Sequence, residues 1–143
     1  MITHLKVLIA DEDKGARRTL ATSLGPHAEV FQAEDGYEVL SLLEHGLQDK
    51  RPFNLVILDF ELPHIDGFDV LTAVRALEEE HHIHGVEGVK VIVVSDLTDG
   101  EDLYGALSMD CEQLLLKPVD PRKVIRVLND LKETTLDPSM LPH

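Results

Sequence analysis

Three short segments of the chain, residues 6–10, 55–58 and 91–94, are almost continuously apolar. A strand with one face in water alternates apolar and polar residues, whereas a parallel strand covered on both faces is apolar throughout. The three segments are therefore predicted to be central strands of a parallel sheet, and two further apolar runs complete a set of five. The predicted strands span residues 5–10, 28–33, 54–59, 89–95 and 113–116.

The segments that follow the strands carry apolar residues at helical spacing. Such residues form one stripe, which is the face of a helix that packs on a sheet. The predicted stripes are Ala16, Leu20 and Leu24; Val39, Leu40 and Leu43; Val70, Val74 and Leu77; Leu103, Ala106 and Leu107; and Val124, Leu128 and Leu131. The boundary residues agree, with Asp13, Asp35 and Asp120 as N-caps, Pro121 in the first turn of the last helix, and Gly25 and Gly46 just after helix ends.

A chain that alternates strands and helices requires right-handed crossovers and forms a three-layer α/β domain. We assign residues 1–132 to this domain, and the aperiodic residues 133–143 to a tail or the start of a linker. The polar stretch 78–88 is predicted to be a solvated loop before the fourth strand. His81, His82 and His84 leave transition-metal binding there open, although their spacing fits neither a closed zinc site nor a helical His pair.

The composition limits the partners of this domain. The chain has 143 residues, of which 43% are hydrophobic, so one domain with a real core is expected. Its 27 acidic and 13 basic residues give a net charge of −14, which disfavours direct binding to nucleic acid. No apolar run reaches the ~20 residues that span a bilayer and the N-terminus lacks a secretory pattern, so we expect a cytoplasmic protein that does not contact membranes. Cys111 is expected to be a small buried residue, with a reactive thiol as the alternative.

Four of the predicted strands end in polar residues. Parallel strands bring their carboxyl ends to one edge of the sheet, where ligands bind. Clustered carboxylates repel one another and need a hard cation, which predicts Mg²⁺ and phosphate chemistry. Taken singly, the acidic residues also fit simpler roles, as caps of the first helix or as a turn residue. The residues are Asp11, Glu12 and Asp13 after the first strand, Asp59 at the third, Ser95 and Asp96 at the fourth, and Lys117 and Pro118 after the fifth.

Over residues 5–131, the chain resembles the receiver domains of two-component response regulators. The segments that carry the resemblance are 7–13, with the acidic pair; 55–68, with Asp59 and the following loop; 91–95, ending in Ser95; and 114–118, with the Lys-Pro pair. The resemblance implies a doubly wound, flavodoxin-like (βα)5 fold with strand order 2-1-3-4-5. It also implies a phosphoacceptor signalling domain that assists its own phosphorylation and dephosphorylation and is not an enzyme in the usual sense.

The family pattern assigns a role to each residue of the pocket. Asp59 takes a phosphoryl group from the phosphohistidine of a histidine kinase or a histidine phosphotransfer protein. Glu12, Asp59 and the backbone carbonyl of Glu61 ligate Mg²⁺, for which Mn²⁺ substitutes, and Asp11 acts through water. Ser95 hydrogen-bonds the phosphoryl group, and Lys117 adds a cation. The signal passes to an unknown downstream protein through residues 99–132, and the domain is a monomer or a weak phosphorylation-dependent dimer.

Two positions depart from the family pattern. The usual aromatic residue three positions before Lys117 is Leu114, so we expect the output to rely on movement of the loop and helix after the fourth strand, with Tyr104 as an alternative substitute for the aromatic. The usual small residue after Ser95 is Asp96, whose charge predicts slower phosphorylation by small donors. The Lys117-Pro118 peptide bond is cis in the family pattern.

Two other classes of function stay open on the sequence alone. One is a hydrolase with an aspartyl-phosphate intermediate, which should carry a second Asp two residues after the nucleophile, where this chain has Glu61, together with a cap domain. The other is a receiver-like scaffold that mediates protein contacts without phosphorylation. It is favoured by Leu114 and Asp96 and disfavoured by the complete set of pocket residues.

Overall fold

The five predicted strands form one parallel sheet in a computed structural model that describes residues 5–84, 87–96 and 111–134. The strand order is β2-β1-β3-β4-β5, which confirms the predicted order. β5 begins and ends where the sequence predicts, and the other four strands begin one residue later than predicted. The strands are β1 Lys6–Ala10, β2 Glu29–Ala33, β3 Leu55–Asp59, β4 Lys90–Ser95 and β5 Gln113–Leu116.

Four helices are present among the described residues, two on each face of the sheet. They are α1 Lys14–Leu24, α2 Gly36–Gln48, α3 Gly67–Glu80 and α4 Pro121–Thr134. α2 and α3 supply one apolar layer, and α1 and α4 supply the other. The three-layer doubly wound fold is thus confirmed. The predicted helix that carries Leu103, Ala106 and Leu107 lies outside the described residues.

The alternation of side chains explains why the central strands are apolar throughout. In β1, Val7 and Ile9 face α1 and α4, whereas Leu8 and Ala10 face α2 and α3, and all four are at most 2% exposed. β3 and β4 divide their side chains in the same way. Each fully buried Val, Leu or Ile contributes about 1.5–3 kcal/mol, so the two layers hold the sheet firmly in register.

The helices that follow the carboxyl ends of β1, β2 and β3 begin at Asp residues. Asp13 Oδ1 accepts hydrogen bonds from the N–H groups of Gly15 and Ala16, and Asp35 Oδ1 accepts one from Glu38, as predicted from the sequence. Asp66 caps α3 in the same way, although it was not among the predicted caps. Such caps stabilise a helix by about 1 kcal/mol and fix the point at which the loop leaves the strand.

Two predicted boundaries are wrong. Gly46 does not follow α2 but lies buried within it, where a Cβ atom would approach the carbonyl oxygen of Arg51 to 3.0 Å. The polar stretch does not begin at residue 78, because α3 continues through Glu80. Glu78 is only 7% exposed and accepts hydrogen bonds from the N–H of Val89 at 2.6 Å and from Arg75 at 2.7 Å. The contact with Val89, 11 residues further along the chain, and the contact with Arg75 on the preceding turn of α3 both favour the helical form of this acidic segment.

Candidate functional site

The sheet brings the polar strand ends together at one edge. Asp59 is the last residue of β3 and pairs with Val94, and Ser95 is the last residue of β4 and pairs with Leu116. The backbone N–H of Lys117 donates to the carbonyl oxygen of Ser95 at 2.9 Å, so the chain still follows β4 beyond the end of β5. An acidic, a hydroxyl and an ammonium side chain therefore project from three adjacent strands.

The Asp59 carboxylate is buried and paired with a cation. The residue is 2% exposed, and its Oδ1 lies 2.9 Å from Lys117 Nζ. Burial acts to lower the pKa of Lys117, but the hydrogen bond and charge of Asp59, together with the charges of Asp11 and Glu61, raise it above the usual 10.5. Lys117 therefore stays protonated at neutral pH and partly offsets the charge of these carboxylates.

Both described contacts of Asp59 use the same oxygen. Oδ1 faces Lys117 and also accepts the N–H of Glu61 at 3.0 Å. Among the described residues, no hydrogen bond reaches Oδ2. The second oxygen is thus the one open to a ligand or a new covalent bond.

The Glu61 side chain bridges the neighbouring strand ends. Ser95 Oγ donates to Glu61 Oε1 at 2.7 Å, and Lys117 Nζ lies 3.5 Å from Glu61 Oε2. Only the backbone carbonyl of this residue was predicted to take part in the site. The sequence did contain a signal for this contact. Glu61 follows the buried strand end by two residues, at the edge where the hydroxyl of Ser95 and the ammonium group of Lys117 were predicted to converge.

The loop that carries Glu61 is held tightly against the sheet. The N–H of Phe60 donates to the carbonyl oxygen of Val94, and the N–H of Gly67 donates to that of Phe60, both at 2.8 Å. A Cβ atom at Gly67 would lie 2.8 Å from the Cα of Phe60, closer than non-bonded carbon atoms approach. Glycine at this position lets the start of α3 close the loop, which places Glu61 over the sheet edge.

The loop between β1 and α1 carries the predicted acidic pair. Asp11 is half-buried, and its Oδ1 accepts the N–H of Asp13 at 2.9 Å. Arg17, a buried residue of α1, donates from Nη1 to the carbonyl oxygens of Asp11 at 2.6 Å and of Glu12 at 3.3 Å. Arg17 thereby fixes the backbone of both acidic residues, whereas the Glu12 side chain is exposed.

A cavity of about 530 Å³ opens at this edge of the sheet. The charged residues that line it are Asp11, Asp13, Asp59, Asp96 and Lys117. Its apolar walls come from the ends of the central strands, from α1 and from the segment after Lys117, whose peptide bond to Pro118 is cis. The cavity is large enough for a small phosphorylated group, and Glu12 is not among the described residues that line it.

The donor atoms fit a hard cation such as Mg²⁺. Carboxylate oxygens of Asp11 and Asp59 and the nearby backbone carbonyl of Glu61 are of the kind that Mg²⁺ prefers, and the ion commonly completes its shell with water and phosphate. Across residues 5–84, 87–96 and 111–134, no three His, Cys, Asp or Glu side chains are placed to hold a metal by themselves. A magnesium ion here would therefore rely on the carbonyl and on water. His81, His82 and His84, where the sequence left metal binding open, form no such group either.

The sequence profile described as the response regulator receiver domain matches residues 7–129. The chain belongs to this family. Receiver domains act in two-component signalling, where they interact with histidine kinases and downstream effectors, and they are signalling domains and not classical enzymes. This membership favours a signalling domain over the hydrolase that stayed open as an alternative on the sequence alone. Magnesium binding at the acidic pocket is a general feature of receiver domains.

Curated relatives of this receiver domain include regulators of transcription. A probable transcriptional regulator, ycf27, of Cyanophora paradoxa is 28% identical over 97% of this chain and 53% of its own length. The transcriptional regulatory protein PrrA of Mycobacterium tuberculosis is 30% identical over 82% of this chain and 45% of its own length. The chain thus spans about half the length of these relatives. An uncharacterized 14.6 kDa protein of Leptolyngbya boryana is 30% identical, over 89% of each chain.

Solved structures share the receiver fold. The N-terminal domain of an uncharacterized protein from Wolinella succinogenes is 28% identical, with a TM-score of 0.75 and coverage of 91% of this chain and 95% of that one. A CheY-like receiver domain from Methanospirillum hungatei has a TM-score of 0.72 at 23% identity, with coverage of 92% and 99%, and supports the fold alone.

Leu114 and Asp96, the two positions that depart from the usual receiver pattern, both lie among the described residues. Leu114 is half-buried against the apolar layer of α2 and α3, and Asp96 is exposed at the cavity. Cys111 is half-buried and packs on the same layer as Leu114, so it is less buried than predicted. Tyr104 lies outside the described residues. No helix in the described part of the receiver domain is long and apolar enough to cross a membrane.

Proposed function

We propose that Asp59 of this receiver domain accepts a phosphoryl group from a phosphohistidine donor in a magnesium-dependent reaction. One observation carries the proposal: a buried carboxylate lies 2.9 Å from the ammonium group of Lys117, at the edge where a cavity of about 530 Å³ opens. The surrounding polypeptide is a receiver domain, in which such chemistry is expected. The donor is the histidine of a kinase or of a phosphotransfer protein.

The carboxylate would act as the nucleophile through Oδ2. The bond between this oxygen and phosphorus forms as the bond from phosphorus to the imidazole nitrogen breaks, and the imidazole leaves with the electron pair. Lys117, held protonated, faces Oδ1 and neutralises charge on the acceptor side. The tight loop before α3 orients Asp59, so little movement of the backbone precedes the transfer.

Asp11, Glu12, Asp59 and the Glu61 carbonyl are the residues we propose to hold Mg²⁺ or Mn²⁺. The cation would offset the negative charge of the transferring phosphoryl group. Arg17 supports this role because its hydrogen bonds fix the backbone that carries Asp11 and Glu12.

Ser95 would communicate the modification. Its hydroxyl lies at the end of β4, one strand from Asp59, where it would donate to a phosphoryl oxygen and draw the following loop inward. We propose that an unidentified downstream protein reads the change on the face formed by residues 99–132, of which β5 and α4 are described. The domain would work in the cytoplasm as a monomer or a weak phosphorylation-dependent dimer.

Incubation with acetyl phosphate and Mg²⁺ tests the proposal, with intact-mass spectrometry as the readout. We expect one phosphoryl group on the wild type, none on Asp59→Asn, and a loss of labelling when EDTA removes the metal. The matched control is Asp69→Asn, since Asp69 is an exposed carboxylate in the first turn of α3. A wild-type protein that stays unmodified with both acetyl phosphate and phosphohistidine donors, or equal labelling of Asp59→Asn, would refute the acceptor role.

A further inference from the structure

The carboxylate of Glu61 contacts the hydroxyl group that would donate to a phosphoryl oxygen and the ammonium group that faces the acceptor Asp59. Its Oε1 accepts the Ser95 hydroxyl at 2.7 Å, and its Oε2 lies 3.5 Å from the ammonium group of Lys117. The backbone of Glu61 also touches the acceptor, because its N–H donates to Asp59 Oδ1 at 3.0 Å. One residue therefore spans the hydroxyl, the cation and the nucleophile.

We propose that the Glu61 carboxylate occupies the place that the phosphoryl group would take beside Ser95 and Lys117. A donor must then displace this carboxylate before Asp59 is modified. The inference rests on the proposed function and deepens it, because it names a residue that controls the rate at the same site. Glu61 is then a rate-controlling residue in addition to a backbone ligand.

The chemistry of the two groups explains the competition. A carboxylate and a phosphoryl group both present negatively charged oxygens, and both accept hydrogen bonds from a hydroxyl and an ammonium group. They cannot occupy one place, and they repel each other at close range. While Glu61 engages Ser95 and Lys117, these side chains are not available to an incoming donor.

The burial of the residues indicates which group moves. The Glu61 side chain is 44% exposed, whereas Asp59 is 2% exposed and Ser95 is 3% exposed. Rotation about its side-chain bonds would carry the Glu61 carboxylate into water, while the backbone of the loop between β3 and α3 stays in place. The Ser95 hydroxyl would then donate to a phosphoryl oxygen instead of to Glu61. Lys117 would interact with the phosphoryl group instead of with the Glu61 carboxylate.

The test compares the rates at which acetyl phosphate modifies the wild type, Glu61→Gln and Glu61→Ala at saturating Mg²⁺. Two unit charges about 4 Å apart in water-like surroundings repel enough to change a rate about fivefold. We therefore expect both variants to react at least fivefold faster than the wild type. Glu80→Gln is the control for net charge, because Glu80 is an exposed carboxylate at the opposite end of α3, and its rate should equal that of the wild type.

Binding of beryllofluoride with Mg²⁺ gives a readout that involves no phosphoryl transfer. Glu61→Ala should bind this phosphoryl mimic at least fivefold more tightly than the wild type. In a Ser95→Ala background, the gain from Glu61→Ala should shrink, since the contact between the two side chains is already absent. Unfolding midpoints for each variant separate this effect from a structural role, which would lower stability and leave the affinity for the mimic unchanged.

Three results would overturn the inference. Phosphorylation of Asp59 at equal rates in the wild type, Glu61→Gln and Glu61→Ala would remove the competing role while the acceptor role stands. Slower reaction of both variants would show that the carboxylate assists the transfer instead of opposing it. If no variant is modified at all, the proposed function itself fails, and with it this inference.

Discussion

Replacement of Lys117 by Met tests how much the ion pair at the sheet edge contributes to folding. Methionine keeps most of the length of the side chain and removes the charge that faces Asp59. A hydrogen bond to a charged group contributes about 1.5–3 kcal/mol, and we use the lower half of this range because the Lys117 side chain is 30% exposed. We expect a loss of about 2 kcal/mol in the free energy of unfolding. With a typical urea dependence of about 2 kcal/mol per M, the midpoint should fall by about 1 M.

The measurement is urea unfolding in EDTA, so that no metal compensates for the lost ammonium group. The matched experiment introduces Lys117→Met into Asp59→Asn, where the carboxylate closest to Lys117 is already absent and only the weaker contacts with Glu61 and Asp11 remain. There the same substitution should cost less than about 0.5 kcal/mol, which gives a coupling energy near 1.5 kcal/mol. An equal loss in both backgrounds would mean that Lys117 stabilises the domain by packing and not through Asp59.

Three further predictions concern charge at the same edge. The pKa of Lys117 is raised in the folded state, so its stabilising contribution is complete below the unfolded value of 10.5 and is lost as the pH rises through the folded value. The free energies of urea unfolding of the wild type and Lys117→Met should therefore converge when the pH exceeds the folded pKa of Lys117. A difference in free energy that stays constant with pH would contradict the pairing. Asp96→Ala should be phosphorylated faster by acetyl phosphate than the wild type, because a charge is removed from the cavity wall; equal rates would dismiss the idea. Arg17→Met should weaken Mg²⁺ binding about tenfold in a titration, since it frees the β1–α1 loop; unchanged affinity would show that the loop holds its shape alone.

The fold could be predicted closely because burial on both faces leaves a direct signature in the sequence. Residues 6–10, 55–58 and 91–94 are apolar without alternation, and the strands they predict begin within one residue of those in the structure. The convergence of Asp59, Ser95 and Lys117 also follows from the sequence, since parallel strands share one carboxyl edge.

The boundary errors lie where a specific contact, and not the pattern of apolar residues, decides the local structure. Glu78 reads as part of a polar loop, but a hydrogen bond from the N–H of Val89 and an ion pair with Arg75 keep it helical. Gly46 reads as a helix end, but the close carbonyl oxygen of Arg51 favours a residue without a Cβ atom at this position inside α2. Arg75 lies at the i,i+3 spacing of a helical ion pair, but the contact with Val89 and the close approach of the Arg51 carbonyl oxygen cannot be identified from residue spacing. The side-chain role of Glu61 was missed for a different reason: Ser95 and Lys117 were predicted to converge at this edge, but only the backbone carbonyl of Glu61 was considered there.

The charges at the sheet edge connect the two proposals. Asp59, Asp11 and Glu61 all raise the pKa of Lys117, so this one ammonium group faces three carboxylates before any phosphoryl group arrives. Phosphorylation adds negative charge to that set, which a single lysine cannot balance. A magnesium ion would supply the missing positive charge, and release of Glu61 into water would remove one of the competing carboxylates. On this reasoning, metal binding and displacement of Glu61 favour the same phosphorylated state. Removal of the Glu61 charge should then make Asp59 phosphorylation less dependent on high magnesium concentrations.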